Sequence, residues 1–188
     1  MQELDKKVGK CRLGVAWVDL LELENELKFG DYNDRPESEN ETNKIIASFR
    51  KIGIASMKES SAIPVILERS RIAESLELGQ DFSDPDSVPE LKLKDSNKIV
   101  VASGQHRCSA LMKYWQSLED DLDMIRKRMA KIAVLKNLED HHVKEHSTLR
   151  DDAAQLMGFI RDMGKWGVTI YDRGKCHVTA IKTVTTAV

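Results

Sequence analysis

Apolar residues fall into two patterns along the chain, and each pattern predicts a different kind of element. Short apolar runs predict buried strands at residues 62–67 and 98–102, and a first strand or short helix over 13–23. Apolar residues three and four apart predict a helix from about residue 41, capped by Asn40 or Thr42 and ended by Gly53. The same spacing predicts helices over 108–138 and 149–163, and a strand follows at 168–171.

Two polar or irregular regions interrupt this pattern. Residues 74–97 carry acidic residues and prolines with little periodicity, which predicts a mobile, acidic surface insertion between two strands. The ending, 178–188, is rich in Thr and Val and has no stop signal, as in a fragment truncated from a longer protein. The elements predict an α+β fold. A domain over 13–118 would hold a small mixed β-sheet with flanking helices, and a helical C-terminal extension would cover 119–188.

The composition narrows the class of protein. Hydrophobic residues make up 41% of the 188 residues, enough for one core, and the net charge of -2 provides no overall basic field for nucleic acid. No apolar run approaches the ~20 residues that cross a bilayer, and the N-terminus lacks a signal peptide. Cys11, Cys108 and Cys176 are far apart, which argues against a disulfide framework or a zinc finger. We therefore expect an intracellular protein, cytoplasmic or nuclear, with no membrane partner.

A strand, a tight glycine turn and a helix follow one another without a gap at Ser103, Gly104, Gln105, His106 and Arg107. A helix N-terminus presents unpaired N–H groups and the positive end of the helix dipole, which suits an anion. Two cations in the first turn oppose that dipole, and a bound phosphate would explain them. In the alternative interpretation, Arg107 pairs with an acidic neighbour and His106 caps a carbonyl, so both residues are structural.

The span 18–118 resembles the ParB/sulfiredoxin superfamily in the order and spacing of four short motifs. These are Asp34-Arg35-Pro36, the helix at 43–52 with Gly53, the strand around Pro64-Val65-Ile66, and the turn Ala102-Ser103-Gly104-Gln105-His106-Arg107. The resemblance implies that Gly104, His106 and Arg107 hold nucleotide phosphates. It also implies nucleotide contacts for Lys44, in the first turn of the preceding helix, and for Arg35. The implied ligand is a nucleoside triphosphate, ATP or CTP, with Mg²⁺ shared between phosphate oxygens and a carboxylate.

The chain departs from sulfiredoxins at Gln105, the position of their catalytic cysteine. A glutamine forms no thiolate, so we expect no sulfiredoxin activity, and we interpret Cys108 as a core residue. Ala47 and Lys51 stand where the superfamily has polar nucleoside contacts. Related free-serine kinases need an acidic base, for which the sequence offers Glu59 and Glu68. The catalytic residues therefore stay unassigned.

The sequence leaves three hypotheses for the function. The first is a nucleotide-dependent phosphotransferase or hydrolase that grips phosphates at the turn. The second is a catalytically silent binding module whose helices after Leu118 contact a protein partner. The third, a ParB-like DNA-binding or nuclease protein, is not favoured by the charge. His142 and His146 have the spacing of metal ligands, but without a third ligand we predict a solvated helix face and no metal site.

Overall fold

The computed structural model describes residues 9–23, 25–30, 36–135, 137 and 139–175. They form a five-stranded mixed sheet and three long helices, which confirms the predicted α+β class. The strands are β1 (Arg12–Asp19), β2 (Leu27–Lys28), β3 (Ile63–Leu67), β4 (Ile99–Val101) and β5 (Lys165–Asp172). The helices are α1 (Glu39–Ile52), α2 (Gln105–Ala133) and α3 (Asp140–Asp162). Within the described residues, no helix is long and apolar enough to cross a membrane.

The strand order in the sheet is β1-β5-β3-β4-β2. β5 pairs antiparallel with β1 and parallel with β3, while β4 pairs antiparallel with β3 and parallel with β2. β5 comes from the segment predicted as a helical extension, and it lies between two strands of the predicted 13–118 domain. The sheet is therefore built from both predicted segments.

Helices cover one face of the sheet. Alternate residues of each strand point to opposite faces, so every second strand residue packs on the helices. Phe49 of α1 and Leu111 of α2 belong to the same buried cluster as the inward residues of the strands. Those strand residues are Ala16, Val18, Ile63, Val65, Leu67, Ile99, Val101, Trp166, Val168 and Ile170. The opposite face carries two smaller clusters, one around Val15 and Phe82 and one of Ile66, Val100 and Ala102.

The acidic segment at 74–97 packs on the sheet, so its prediction as a mobile surface insertion is wrong. Gly79 exchanges backbone hydrogen bonds with Val15, at 2.8 and 2.9 Å, and Trp17 N donates to Pro89 O at 2.8 Å. Phe82 and Val88 are buried against the second face. The segment therefore extends the sheet beside β1 and covers part of the second face with Phe82 and Val88.

One predicted helix end is confirmed, and two others differ from the prediction. α1 begins with Ser38 as its N-cap, whose hydroxyl accepts from Glu41 N, instead of Asn40 or Thr42. Its predicted end at Gly53 is confirmed, since that residue has a positive φ of 80° and donates to Phe49 O. α2 is one continuous helix of 29 residues that ends five residues earlier than the predicted boundary at 138.

Candidate functional site

The turn after β4 depends on the absence of a side chain at Gly104. This residue has φ of +105°, which L side chains rarely adopt, and a Cβ there would lie 3.1 Å from Ile63 Cγ1. Gly104 therefore packs its bare Cα against β3, so the fold itself already requires a glycine at this position. The buried Ser103 precedes it, and Gln105 begins α2 as a partly exposed residue.

Backbone N–H groups collect at the start of α2. Arg107 N and Cys108 N both donate to Gly104 O, at 2.9 and 3.0 Å. Within the described part of the chain, the N–H groups of Gly104, Gln105 and His106 have no acceptor. α2 also lacks an acidic residue in its first turn and a side-chain cap. The positive end of this long helix is therefore left for solvent or for an anion.

Arg107 lies half-buried beside these groups. Its Nη2 donates to Ser60 O at 3.2 Å, and no ion pair links it to a carboxylate among the described residues. Burial lowers the pKa of Arg107, since the guanidinium loses part of its hydration. The alternative in which Arg107 pairs with an acidic neighbour is therefore not what the structure shows. The side chain keeps donors beyond the one that Ser60 uses.

His106 joins the first turns of two helices. Its Nε2 accepts a hydrogen bond of 2.8 Å from the backbone N–H of Ser38, the N-cap of α1. A backbone N–H can only donate, so Nε2 is the acceptor of this contact. The imidazole caps no carbonyl among the described residues, which corrects the structural alternative, while its contact with a phosphate stays a prediction. The contact ties the start of α1 to the turn at residues 103–107.

Lys44, another residue predicted from the resemblance, contacts a neighbour on its own helix. Lys44 is exposed and pairs with Glu41 at 2.7 Å, a contact that lowers the pKa of Glu41. No contact among the described residues joins Lys44 to the turn. Arg35 lies outside the described residues. The structure therefore brings together Ser103, Gly104, Gln105, His106 and Arg107, without Lys44.

Residues that sequence analysis did not assign complete the surroundings of the turn. Glu37 Oε1 accepts a 2.5 Å hydrogen bond from Ser109 Oγ, one helical turn after Gln105. Ser38 and Ser60 supply the backbone partners of His106 and Arg107. The sequence Ser38-Glu39-Asn40-Glu41 has the Ser-x-x-Glu pattern of a helix start, so only Ser38 had a readable signal.

The other candidate chemical groups have structural roles. Cys108 is buried in the core, as predicted, and burial raises the pKa of its thiol to about 12. Glu59 is exposed and pairs with Arg12 at 3.2 Å. His142 Nδ1 accepts from Glu139 N at 3.3 Å in a capping box at the start of α3. Among the described residues, no three His, Cys, Asp or Glu side chains gather as a metal site would require.

Comparison with known families assigns the chain. Residues 11–121, more than half of the chain, match the N-terminal domain of DUF3723, a family described as protein of unknown function. The chain belongs to this family. The DUF3723 match includes α1, the turn at 103–107 and the first half of α2, whereas α3 and β5 lie beyond it. No curated protein and no solved structure matches the chain significantly.

Proposed function

We propose that this DUF3723 domain binds the phosphate groups of a nucleoside triphosphate, ATP or CTP, at the turn formed by residues 103–107. The observation that carries the proposal is Arg107, a half-buried guanidinium without a carboxylate partner among the described residues. A buried cation is costly unless an anion compensates it. A phosphate beside the start of α2 would supply that anion and accept from the free N–H groups.

The arrangement of α1 supports a bound anion in a second way. His106 holds the N-terminus of α1 against the N-terminus of α2, so the positive ends of two helix dipoles lie near the turn. The resemblance to the ParB/sulfiredoxin superfamily supports the choice of a nucleotide, because its members hold phosphates at the corresponding turn. His106 then acts mainly as a positioning residue, and Arg107 and the backbone provide the phosphate contacts.

Turnover of the nucleotide is a second candidate function, favoured by Glu37. Its carboxylate is held by Ser109 beside the first turn of α2, where it could orient a water molecule or share Mg²⁺ with phosphate oxygens. Magnesium would then take most of its ligands from the phosphates, since the described residues offer no cluster of three protein ligands. Such a protein would be a nucleotide hydrolase or phosphotransferase of the cell interior.

The proposal is tested by replacing Arg107 with alanine and titrating ATP, CTP and GTP by calorimetry, with and without Mg²⁺. A charge-assisted contact to phosphate contributes ~1.5–3 kcal/mol, so we expect affinity to fall roughly ten- to a hundredfold. Arg150→Ala is the matched control, because Arg150 is exposed on α3 and pairs only with its neighbour Asp151. Equal affinities of Arg107→Ala and the parent protein would refute the site.

Turnover is measured separately as phosphate release from the nucleotide that binds. We expect Glu37→Gln to abolish phosphate release. Its nucleotide affinity should equal that of the parent protein, because the substitution keeps a hydrogen-bonding partner for Ser109. Nucleotide binding with no released phosphate in the parent protein would leave the binding proposal in place and reject catalysis.

A further inference from the structure

A groove lies between α2 and α3, along the second half of α2. Its volume is about 680 Å³, and both helices line it. The lining residues include Asp121, Met124 and Ile125 from α2 and Asp152, Leu156 and Phe159 from α3. Each helix therefore brings apolar side chains and one carboxylate to the same recess.

The apolar side chains of the groove are accessible from solvent. Met124 is 61% exposed and Phe159 is 42% exposed, while Ile125 and Leu156 are partly exposed between them. The ring of Phe159 meets Tyr114 edge-on, with centroids 6.3 Å apart, which orients its exposed part. Large apolar side chains that share one exposed recess are typical of interaction sites. A methionine adapts its shape to a partner, so Met124 suits such a contact.

The charge of the groove is negative on both sides. Asp121 and Asp152 are exposed, and neither takes part in an ion pair among the described residues. Other aspartates of the two helices are compensated: Asp123 pairs with Lys127 at 2.6 Å, and Asp151 pairs with the arginine before it. The carboxylates that face the groove are therefore the ones left to attract a cation.

The basic residues that follow on α2 are engaged elsewhere. Arg128 Nε donates to Glu145 at 2.6 Å, and Arg126 Nη2 donates to Met157 Sδ at 3.8 Å. Neither arginine is among the residues that line the groove. The groove therefore keeps its acidic character.

This charge argues against a second copy of the chain as the occupant. A symmetric dimer uses the same patch on both subunits, so Asp121 and Asp152 of both copies would meet across the seam. Like charges repel at such distances. A partner of opposite charge is favoured instead.

We propose that the groove between α2 and α3 docks a basic amphipathic helix of a partner protein. The apolar stripe of that helix lies on Met124, Leu156 and Phe159, and its Lys or Arg side chains pair with Asp121 and Asp152. A groove between two helices accepts a third helix, whereas an extended peptide adds to the edge of a sheet. The residues 152–159 span two helical turns, roughly 10 Å, so the partner presents apolar anchors over a similar length.

This docking surface goes beyond the proposed function. Asp121 follows Arg107 on α2 by about four helical turns, or roughly 20 Å. Arg107→Ala is therefore expected to bind the partner helix as the parent protein does. A failed nucleotide experiment would leave the groove unaffected.

The test selects a ligand for the full chain from a displayed library of helical peptides. Each peptide has about four helical turns, an apolar stripe, and flanking positions drawn equally from Lys, Arg, Gln, Asp and Glu. We expect the selected peptides to carry Lys or Arg on both sides of the stripe. Circular dichroism measures their helix content in the complex, and amide shifts in nuclear magnetic resonance spectra locate them. We expect shifts at Asp121, Met124 and Asp152.

A pair of methionine variants tests the apolar contact. Met124→Gln is expected to weaken binding of the best selected peptide about fivefold or more, because it removes apolar surface from the groove. Met157→Gln makes the same change at a methionine that is also exposed but does not line the groove. It is expected to bind the peptide as tightly as the parent protein.

A pair of aspartate variants tests the charge. Asp121→Asn/Asp152→Asn is expected to lose about three- to tenfold in affinity at low ionic strength, and most of the salt dependence of binding with it. Asp84→Asn/Asp86→Asn makes the same change in net charge on exposed residues of the acidic segment. This control is expected to keep both the affinity and its salt dependence.

Several outcomes would overturn the proposal. A library that yields no enriched peptide, or one enriched in acidic flanks, contradicts the basic partner. Selected peptides that bind without forming a helix contradict its shape, and equal losses in Met124→Gln and Met157→Gln contradict its place. Self-association of the parent protein in analytical ultracentrifugation that Met124→Gln abolishes would assign the groove to a second copy instead.

Discussion

Arg107 and Cys108 are neighbours in the chain, yet one is a partly exposed cation and the other a buried thiol. Arg107 is half-buried in the first turn of α2, where solvent can reach it, while Cys108 faces the core between α2 and the sheet. Burial also separates this cysteine from the reactive thiolates of redox enzymes, which need exposure and a nearby positive charge. Burial is the larger influence on the pKa of Cys108, and the charge of Arg107 acts in the opposite direction. Cys108 therefore has a packing role, while Arg107 stays accessible from solvent.

We predict that Cys108 resists alkylation in the folded protein at pH 8. Its pKa is raised to about 12, so almost no thiolate exists at that pH, and the side chain is buried. Peptide mapping after iodoacetamide treatment measures the modified fraction, and the same protein in concentrated urea supplies the positive control. Rapid labelling of native Cys108 would show that the start of α2 opens readily.

The same raised pKa makes a prediction about stability at alkaline pH. The unfolded thiol ionises near pH 8.5, whereas the folded one ionises only near its pKa of about 12. Below pH 8.5 both states keep the proton and no stability is lost, while from there to about 12 the unfolded state is increasingly favoured. We expect the free energy of unfolding of Cys108→Ala to decrease less between pH 7 and 10 than that of the parent protein, as measured by urea titration. Parallel declines would contradict this.

His106 yields a test of its contact with Ser38. Alanine at this position leaves the Ser38 N–H without its acceptor, and we expect a loss of about 1 kcal/mol in unfolding free energy. His106→Gln provides the control, because its side-chain carbonyl can accept from the same N–H. Urea titrations of the three proteins measure the effect. An unchanged stability of His106→Ala would mean that water replaces the contact at no cost.

At the scale of elements, the acidic segment shows how packing can escape sequence analysis. Leu76, Leu78, Phe82, Val88 and Leu91 pack against the two faces of the sheet, but acidic residues and prolines separate them without a helical or strand period. Gly79 of this segment pairs with Val15, 64 residues earlier, and Phe82 packs on Gly167, 85 residues later, so no local pattern could indicate these contacts. β1, β3, β4 and β5 were predictable because each is a compact apolar run. The two-residue β2 gave no such signal.

The residues of the candidate site could be predicted from the sequence, but their contacts could not. The turn and its cations are contiguous in the sequence, so Gly104 and Arg107 could be singled out from local chemistry alone. The contact of His106 could not be predicted, because its partner Ser38 lies 68 residues away. Gly104 itself is explained by its contact with Ile63, which no local motif shows. Local motifs therefore identified the residues but not their partners.

Phe82 tests whether the acidic segment stabilises the fold. Its ring packs directly on the backbone of Gly167 in β5, where an added Cβ would meet Phe82 Cε1 at 2.5 Å. We expect Phe82→Ala to lose ~3 kcal/mol or more, as for other buried Phe→Ala changes. Phe159→Ala on α3, where 42% of the residue is exposed, is the control and is expected to cost far less. Equal losses in thermal or urea unfolding would mean that the segment does not contribute.

At the scale of the whole molecule, the chain closes its sheet with a strand from its last third. β5 contributes Trp166, Val168 and Ile170 to the main core, each with at most 2% of its surface exposed. It also joins β1 to the rest of the sheet, because β1 has no other strand neighbour in the strand order. The family match ends at residue 121, before this strand. The matched segment alone therefore lacks one of the interior strands of its own sheet.

This arrangement leads to the prediction that a protein ending at Ala133 will not fold cooperatively, although it contains the whole matched segment and all of α2. Without β5, the edges of β1 and β3 that pair with it would expose their N–H and C=O groups. The main core would also lose Trp166, Val168 and Ile170. Circular dichroism melts and amide dispersion in nuclear magnetic resonance spectra of the truncated and full-length proteins measure the outcome. The full-length variant Ile170→Ala keeps every strand and removes only one buried side chain, so we expect it to fold with a loss of ~2–5 kcal/mol. A sharp, cooperative transition in the truncated protein would show that β1 can pair directly with β3, and that β5 is an addition to an already stable sheet.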